Sequence, residues 1–503
     1  MNKNAIRRRR RGSGGSLSGV LFSASEPGFT FEPWDITTLY QDRAGTTPVT
    51  AAGQSVGLRL SKDQGLRQGP ELVTNGDFSA GTTGWTVTAP GTNTVTVSGG
   101  SVRFVTNGSA DTATLSQPWA GATAVGKYYR ITFDVLPGST GMLKITTLGV
   151  NSTIGEQAFT ATPGAKSFTL VSSNATTIGI ARVVSASADA TIDNISVREL
   201  AGNHEVAVSD AKRGVYGWMP KTGRRNLLNA TDTLLTQSVT VTAVAHTLAF
   251  TGTGTVTLSG ASTAGPLVGT GASNRVTLTF TPTAGSLTLT VSGSVTLAQL
   301  ELGSTATAYQ RVASQYDITE AGVPTCYYVQ ADGVDDAYVT PTITPNTDKV
   351  QVFAGVRKLS DAATSSLTGM SVFPPSNNGV FEMFAPGNAG ATYGWRTKGT
   401  IDVLQVPGAF ASPITNVLTG LADISGDTAA LRVNGTQVAQ STTDQGTGNY
   451  LAYPAYIYGR GGTSLPFNGL DFGHAVRFGP NLDAATIARV ESLIARNTPE
   501  VTL

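Results

Sequence analysis

The segment VTLTFTPTAGSLTLTVSGSVTLAQLELG, residues 276–303, alternates apolar and hydroxyl-bearing side chains over most of its length. Successive side chains of a β-strand point to opposite faces, so this alternation predicts strands with one buried and one solvent-facing side. The Gly and Pro residues between the runs predict antiparallel strands joined by tight turns. The segment therefore predicts a small β-sandwich, which we place at residues 227–303.

Composition extends this prediction to the whole chain. Of its 503 residues, 40% are apolar, only 13% are charged and 59 are glycine. This mixture favours strands and turns over long helices, and a chain of this length exceeds a single hydrophobic core. We therefore predict an all-β fold of tandem antiparallel β-sandwiches (jelly rolls), with an extended basic N-terminal arm and a short C-terminal helix.

Formal charge is unevenly distributed along the chain. Six of the 34 basic residues lie in the first eleven positions, at Lys3, Arg7, Arg8, Arg9, Arg10 and Arg11, and no acidic residue accompanies them. The rest of the chain then has 28 basic and 33 acidic residues, a net charge near −5. Contact with nucleic acid is therefore expected only from the arm, if at all. We predict that residues 1–20 form a flexible arm whose five arginines anchor the protein to an acidic partner.

Cysteine content and hydropathy limit the class of protein further. The single cysteine, Cys326, excludes an intramolecular disulfide, and its apolar neighbours predict a buried side chain. No stretch approaches the ~18–20 apolar residues of a membrane span, so no membrane partner is expected. The apolar segment after the arm is short and broken by Gly and Ser, which argues against a signal peptide. The protein is expected to stay in the cytoplasm of the cell that makes it until it is released.

Shifts in composition divide the chain into segments. Residues 21–70 are too short and loop-like to hold a core, so we interpret them as an adaptor that packs against something larger. Residues 71–200 contain repeated short alternating runs, which predict an antiparallel sandwich. The remaining predicted units are a connector at 201–226, the smaller sandwich at 227–303, a connector at 304–326 and a final sandwich at 327–503.

Three motifs of the 71–200 segment resemble the carbohydrate-binding-module jelly roll. They are NGDFSAGTTGW (75–85), YYRITFDV (128–135) and IDNISV (192–197). In that family a structural calcium often lies where the opening acidic turn meets the last strand. The resemblance implies such a site at Asp77 and Asp193, and carboxylate oxygens suit Ca²⁺. The alternative interpretation is that Asp77 caps a turn and Asp193 is solvated.

The final unit resembles the concanavalin A-like and laminin-G-like lectin sandwich. The motifs that carry this resemblance are ADGVDD (331–336), LRVNG (431–435), IYGRGG (457–462) and FNGLD (467–471). Asn434 and Gly435 predict a tight hairpin turn. Asp483 is the predicted N-cap of a helix over 484–496, where apolar residues recur at helical spacing.

An ordered set of motifs along the whole chain resembles modular appendage proteins of tailed bacteriophages. The set consists of DITTLYQDRAGTTPVTAAGQSVG (35–57), TGRRNLL (222–228), LELGSTATAYQRV (300–312), YDITEAGVP (316–324) and ADGVDDAYV (331–339). The resemblance implies a structural virion protein, attached by its N-terminal region, that displays β-sandwiches for host-surface glycan recognition in a tail fibre or baseplate. The alternative is a capsid-attached head fibre or decoration protein that binds no sugar.

The same resemblance implies the partners and the location of the protein. The partners would be other virion proteins of the tail, baseplate or capsid, a host cell-surface glycan, and further copies of the chain in a homo-oligomer. The location would be the virion. Apart from the implied calcium, no cofactor is expected.

We expect binding rather than catalysis. The only dense acidic cluster comprises Asp332, Asp335 and Asp336, and turn or capping roles explain it without the paired-carboxylate chemistry of glycosidases. Sugar binding needs aromatic platforms beside polar groups. We predict that the ligand-binding residues are Trp119, Trp395, Tyr458 and Arg460. Trp395 is the best candidate for a surface platform because its surroundings, TYGWRTKG, are polar, whereas Trp85 is expected in the jelly-roll core.

Overall fold

The computed structural model describes residues 16–22, 26–108, 113–118, 127–146, 157–171, 177–370 and 377–503. The described residues form three β-sandwiches and two short helices. Their strand ladders are antiparallel, apart from one parallel bridge between Trp218 and Asp317. The predicted all-β fold of tandem sandwiches with a short C-terminal helix is therefore confirmed.

The N-terminal part of the chain supplies short elements to the largest sandwich. They are helix α1 (Leu17–Leu21), strand β1 (Gly28–Phe31), a 3-10 turn at Ile36–Thr38, and strands β2 (Leu39–Tyr40) and β3 (Leu58–Arg59).

The first complete sandwich is a jelly roll with its own core. Its strands are β4 (Thr86–Thr88), β5 (Thr94–Ser98), β6 (Ser101–Asn107), β7 (Thr114–Pro118), β8 (Tyr128–Val135), β9 (Thr140–Thr146), β10 (Gln157–Thr160), β11 (Gly164–Val171), β12 (Thr177–Arg182) and β13 (Ser187–Glu199). One layer, sheet III, has the order β11-β8-β13-β6-β5, and the other has the order β10-β9-β12-β7-β4. Trp85 lies in the core between the layers, as predicted.

Two strands follow the jelly roll, and the smaller sandwich comes next. The two strands are β14 (Glu205–Ala207) and β15 (Val215–Pro220). The smaller sandwich consists of β16 (Gln237–Val241), β17 (His246–Gly252), β18 (Thr255–Gly260), β19 (Leu267–Val268), β20 (Gly271–Phe280), β21 (Gly285–Ser292) and β22 (Val295–Leu302). Its layers are β16-β21-β18-β19 and β20-β17-β22. Most apolar residues of 276–303 face the core between them, whereas Leu297 and Leu302 are exposed.

The last part of the chain builds most of the largest sandwich. Its elements are β23 (Gln310–Ser314), β24 (Asp317–Glu320), β25 (Thr325–Asp332), β26 (Tyr338–Ile343), β27 (Lys349–Lys358), β28 (Ser366–Gly369), β29 (Val380–Phe384), β30 (Gly394–Lys398), β31 (Asp402–Gln405), β32 (Ile414–Asp423), β33 (Thr428–Val433), β34 (Thr436–Ser441), β35 (Tyr453–Ile457), β36 (Asn468–Phe478) and helix α2 (Ala484–Ala495). Asn434 and Gly435 have positive φ angles of 47° and 75° at the β33–β34 turn, and the Asp483 carboxylate accepts a hydrogen bond from the backbone N–H of Thr486 at 2.7 Å. Both sequence predictions are confirmed.

The two layers of this large sandwich draw on distant parts of the sequence. Sheet I has the order β23-β24-β15-β25-β36-β27-β32-β33-β34, with β1 also paired to β36. Sheet II has the order β2-β3-β14-β26-β35-β28-β29-β30-β31. The segments interpreted as an adaptor (21–70) and as connectors (201–226 and 304–326) therefore supply strands to these two sheets.

The jelly roll is inserted into sheet II. Strand β3 precedes it and β14 follows it, and the two are hydrogen-bonded neighbours with Arg59 opposite Glu205. Beyond this pair, the backbone N–H of Ser61 donates to Nδ1 of His204 at 3.0 Å. The chain thus leaves and re-enters the large sandwich at one place.

A polar network joins the smaller sandwich to sheet I. Glu301, near the end of β22, is buried and accepts hydrogen bonds from the backbone N–H and the hydroxyl of Thr307 at 2.8 and 2.6 Å. The side chain of Gln310, at the start of β23, accepts from the backbone N–H of Arg225 at 2.8 Å. Arg225 in turn pairs with Glu320 of β24 at 2.5 Å. The motif at 300–312 is therefore a hydrogen-bonded joint between two sandwiches.

Candidate functional site

Trp395 lies inside the large sandwich, so its predicted role as a surface platform is wrong. The side chain is 0% exposed, and its indole N–H donates to the backbone carbonyl of Leu421 at 3.2 Å. On β30 the polar neighbours Arg396 and Lys398 occupy the alternate, outward positions. Gly420 makes room for the indole, since a Cβ there would come within 2.6 Å of the ring. The polar surroundings seen in the sequence belong to the opposite face of the strand.

The side chains of Tyr458 and Arg460 are also buried in the interior of the protein. Tyr458 is 0% exposed and donates its hydroxyl hydrogen to Asp471 at 2.9 Å. Arg460 is 8% exposed and binds both carboxylate oxygens of Glu382 at 2.7–3.0 Å. Neither residue offers a free surface to a ligand, which corrects the prediction. Trp119 and the arginines at 7–11 lie outside the described residues.

Asp77 and Asp193, the predicted calcium ligands, form hydrogen bonds with different partners. The carboxylate of Asp77 accepts hydrogen bonds from the backbone N–H and the hydroxyl of Ser79 at 3.3 and 3.0 Å, and these bonds lower its pKa. This geometry is that of a capped turn, as the alternative interpretation expects. Asp193 is half-buried on β13 and accepts from the backbone N–H of Asn194 at 2.7 Å. The two carboxylates thus take part in separate hydrogen bonds, and calcium at this pair stays a prediction.

In the described part of the chain, one cluster of three aspartates has the spacing of a metal site. Carboxylate oxygens of Asp332, Asp335 and Asp336 lie within 4.8 Å of one another. Burial raises the pKa of Asp336 to about 6. Asp336 also accepts from the backbone N–H of Asp332, and Asp332 accepts from that of Val334, at 3.0 and 2.8 Å. These bonds hold the turn between β25 and β26, which is the structural role that the sequence analysis favoured.

A buried network of charges, which sequence reasoning missed, lies where the jelly roll is inserted. Arg59 of β3 pairs with Glu205 of β14 at 3.0 Å, and Nε2 of His474 lies 2.9 Å from the other Glu205 oxygen. Nδ1 of His474 lies 2.7 Å from Asp471. All four side chains are at most 1% exposed. Two cations thus face two carboxylates, and this balance is what allows them to be buried.

The outer face of sheet III carries an open groove that polar and apolar side chains line together. Thr132 and Asp134 of β8, Ala165 and Ser167 of β11, and Asn194 of β13 line a cleft of about 350 Å³ together with Phe133 and Lys166. That volume lies at the lower end of the range for ligand pockets, roughly 300–1,000 Å³. Strand alternation explains the lining, because Phe133 and its alternate neighbours on β8 are buried while Thr132 and Asp134 are half-exposed. We call this feature the groove.

A bulge in β13 shapes one end of the groove. Pairing between β8 and β13 shifts between Asp193 and Ser196, and Asn194 has a φ angle of 55°, a backbone conformation that Asn tolerates better than most residues. The bulge also lets the backbone N–H of Ile195 donate to Gly76 at 2.9 Å. The Asn194 amide then donates to the Asp134 carboxylate at 2.9 Å. The end of the groove therefore presents a fixed amide and carboxylate side by side.

Comparison with known proteins adds similarity to solved structures. No family model and no curated protein matches the chain. Among solved structures, the CBM40 module of the Ruminococcus gnavus IT-sialidase bound to α2,3-sialyllactose matches at 18% identity over 29% of this chain and 83% of that chain, with a TM-score of 0.24. The binding domain of botulinum neurotoxin serotype D matches at 11% identity over 33% of this chain and 41% of that chain, with a TM-score of 0.27. The NanB sialidase of Streptococcus pneumoniae matches at 18% identity over 27% of this chain and 23% of that chain, with a TM-score of 0.23. Similarity this low assigns no function.

Neither helix in the described part of the chain combines the length and the apolar character that crossing a membrane requires.

Proposed function

We propose that this chain is a structural virion protein of a tailed phage and that it binds a host-surface glycan through the groove. In this proposal the N-terminal region attaches it to other virion proteins, further copies assemble with it as a homo-oligomer, and the sandwiches are displayed outward. The virion and partner roles follow from the ordered motifs that resemble phage appendage proteins. The groove on sheet III is the observation that carries the binding role.

The chemistry of the groove suits sugar hydroxyls. A hydroxyl both donates and accepts hydrogen bonds, so a sugar site needs acceptors and donors in fixed positions. Asp134 supplies carboxylate oxygens, and Asn194 holds it in place through its amide. Thr132 and Ser167 add short hydroxyl side chains between the ends of the groove. Their small size leaves room for a ring to lie against the sheet.

The way the sandwiches are joined suits a display role. The inserted jelly roll packs against the large sandwich through an apolar cluster that includes Tyr40, Leu58, Tyr128 and Leu200. In addition, the hydroxyl groups of Tyr40 and Thr169 lie 3.0 Å apart across this contact. Buried contacts of this kind hold a binding surface in one orientation relative to its support.

We also propose that the groove binds without catalysis. It is an open feature on the outer face of a sheet, and the hydrogen bond from Asn194 fixes the Asp134 carboxylate as an acceptor. Mass spectrometry of a bound oligosaccharide after prolonged incubation tests this point. Intact ligand is the expected result, and shortened products would contradict it.

A glycan array probed with the full chain tests the binding role. We expect binding to a restricted set of oligosaccharides, and Asp134→Ala should weaken it at least about tenfold, since a hydrogen bond to a charged group contributes roughly 1.5–3 kcal/mol. Asp189→Ala is the matched control, because Asp189 is a carboxylate of the same sheet, on the neighbouring strand β13, and it pairs with exposed Arg103. No binding to any glycan, or equal losses in both variants, would refute the proposal.

Labelled particles test the virion role. Incorporation of the full chain, and loss of incorporation when residues 1–11 are deleted, are the expected results. Electron microscopy of particles carrying labelled chains places the attachment point at the tail or at the head. Density at the head vertices together with an empty glycan array would favour the decoration role.

A further inference from the structure

The two ends of the groove carry opposite charge. Arg130 of β8 is paired across the sheet with Arg198 of β13, and four residues further along β8, Asp134 is paired with Asp193. Residues paired across neighbouring strands share a face of the sheet, so both pairs lie on the outer face. The pairs are separated by about 13 Å at the usual rise of a strand. The outer face therefore carries two arginines beyond one end of the groove and two aspartates at the other end, and Lys166 also lines the cleft.

Among the described residues, only one of the two arginines is neutralised by a carboxylate. The guanidinium of Arg198 pairs with Glu71 at 3.3 Å and donates to the backbone carbonyl of Gly69 at 3.1 Å. Arg130 donates a single long hydrogen bond to the hydroxyl of Ser167, at 3.4 Å. Across the described ranges, no carboxylate forms an ion pair with Arg130. Arg130 is therefore a half-buried cation that borders the cleft without an anionic partner.

The junction between the domains closes the positive end of the groove. Thr169 of β11 lies opposite Arg130 and is buried, with its hydroxyl 3.0 Å from that of Tyr40 in the large sandwich. Gly45 of the large sandwich also lies against Thr169, because a Cβ at Gly45 would come within 3.1 Å of the threonine methyl group. A ligand that runs along the groove must therefore place its end beside Arg130.

We infer that the groove selects an acidic oligosaccharide whose carboxylate pairs with Arg130. The planar guanidinium can bind both oxygens of a carboxylate at once, and this pairing is among the stronger hydrogen-bonded contacts in proteins. The rest of the ligand lies over Thr132 and Ser167 and directs hydroxyl or amino groups at Asp134. This inference rests on the proposed binding role and names the ligand class for the same site.

The charge on Asp134 and Asp193 sets the direction of binding. Like charges in directly opposed positions of a sheet disfavour each other, so an additional negative group at that end raises the repulsion. The two aspartates therefore disfavour a sugar acid at their end of the groove, and Arg130 attracts it at the other. A neutral glycan leaves Arg130 unpaired and loses this contact.

An array that carries each acidic oligosaccharide beside its carboxyl-reduced form tests the inference with the full chain. The expected hits are acidic, and reduction of the carboxylate to an alcohol should weaken binding at least tenfold. Arg130→Gln should weaken binding of the acidic form by a similar factor and bring the ratio between the two forms close to one. Arg130→Lys should retain part of the preference, since it keeps the charge and loses the paired geometry. Melting curves that match the unaltered chain establish that each variant is folded.

Arg103→Gln is the matched control. It removes one positive charge from the same face of sheet III, at an exposed ion pair with Asp189, and should leave the ratio unchanged. Equal binding of acidic and reduced forms, or an unchanged ratio in Arg130→Gln, would overturn the inference while the loss in Asp134→Ala still supports glycan binding. An array without any hit would instead refute the proposed binding role itself.

Discussion

His204 and His474 are both fully buried beside the insertion point of the jelly roll, yet burial affects their charge in opposite ways. Nδ1 of His204 accepts from the backbone N–H of Ser61, and the other ring nitrogen lies 3.1 Å from the carbonyl oxygen of Leu200. Burial lowers the pKa of His204 to about 4. For His474 burial alone would lower the pKa, but the carboxylates of Glu205 and Asp471 outweigh it and raise the pKa to about 9.

The difference shows that burial by itself does not decide the state of a histidine. His204 has a backbone donor and a backbone acceptor as partners, which suit the neutral ring. His474 has two anionic partners, which suit the charged ring. At neutral pH, folding therefore leaves one histidine neutral at the junction and one charged in the core of the large sandwich.

Removal of Glu205 is expected to have the largest effect. Glu205→Ala leaves Arg59 and His474 with Asp471 as their remaining anionic partner, and breaking a buried ion pair typically costs about 3–5 kcal/mol. Hydrogen exchange in peptides from β27, β32 and β36 should show the large sandwich destabilised by that amount. Glu205→Gln, which keeps the shape of the side chain, should be less harmful. Unchanged exchange in Glu205→Ala would show that the network contributes no net stability.

Raising the pH should destabilise the large sandwich next most strongly. The folded-state pKa of His474 lies above its ordinary value of 6.5, so its contribution is complete below pH 6.5 and is lost as the pH rises through about 9. The loss should amount to about 2–3 kcal/mol, as follows from the size of the pKa difference. Chemical unfolding between pH 6.5 and 9.5 measures it, and His474→Gln should flatten the decline. An equally steep decline in that variant would assign the effect to other groups.

Mild acid should have the smallest effect, and it should act at the junction. The folded-state pKa of His204 lies below 6.5, so its contribution is complete above pH 6.5 and falls as the pH drops towards 4. Between pH 7 and 5 the loss should be about 2 kcal/mol. His204→Gln offers an acceptor and a donor to the same backbone groups without titrating, so hydrogen exchange around Ser61 should become less dependent on pH. The opposite outcome, an unchanged pH dependence, would exclude His204 as its source.

Much of the fold could be predicted from local patterns. The alternation at 276–303 predicted the smaller sandwich, and Asn434, Gly435 and Asp483 predicted the turn and the cap that the structure contains. These features depend on neighbours in the sequence, so the sequence alone determines them. Strands β1 and β3 depend on distant partners, since Gly28 lies opposite Arg477 and Arg59 lies opposite Glu205, and the pattern of a short segment does not identify such partners.

The candidate site was harder to predict for the same physical reason. The polar residues of the YYRITFDV motif were visible as the alternate positions of a strand, but the groove forms only when β8 lies between β11 and the bulge of β13. The prediction that Trp395 is exposed was wrong because the polar residues beside it belong to the other face of β30. Polar residues at alternate positions of a strand indicate that one face is solvent-exposed. They do not identify which side chains a ligand can reach.

The insertion of the jelly roll between β3 and β14 also has a thermodynamic consequence. Closing a flexible loop costs an entropy that grows with its length, at about 0.6 kcal/mol for each doubling. Here the insert brings its own ends together. The backbone N–H of Gly69 donates to the carbonyl oxygen of Glu199 at 2.9 Å, and outside this pair the backbone N–H of Ser61 donates to Nδ1 of His204. Contacts within the folded insert therefore offset the loop-closure entropy, whatever the length of the insert. The inserted domain can therefore change in size and sequence without adding to the closure entropy of the large sandwich that carries it.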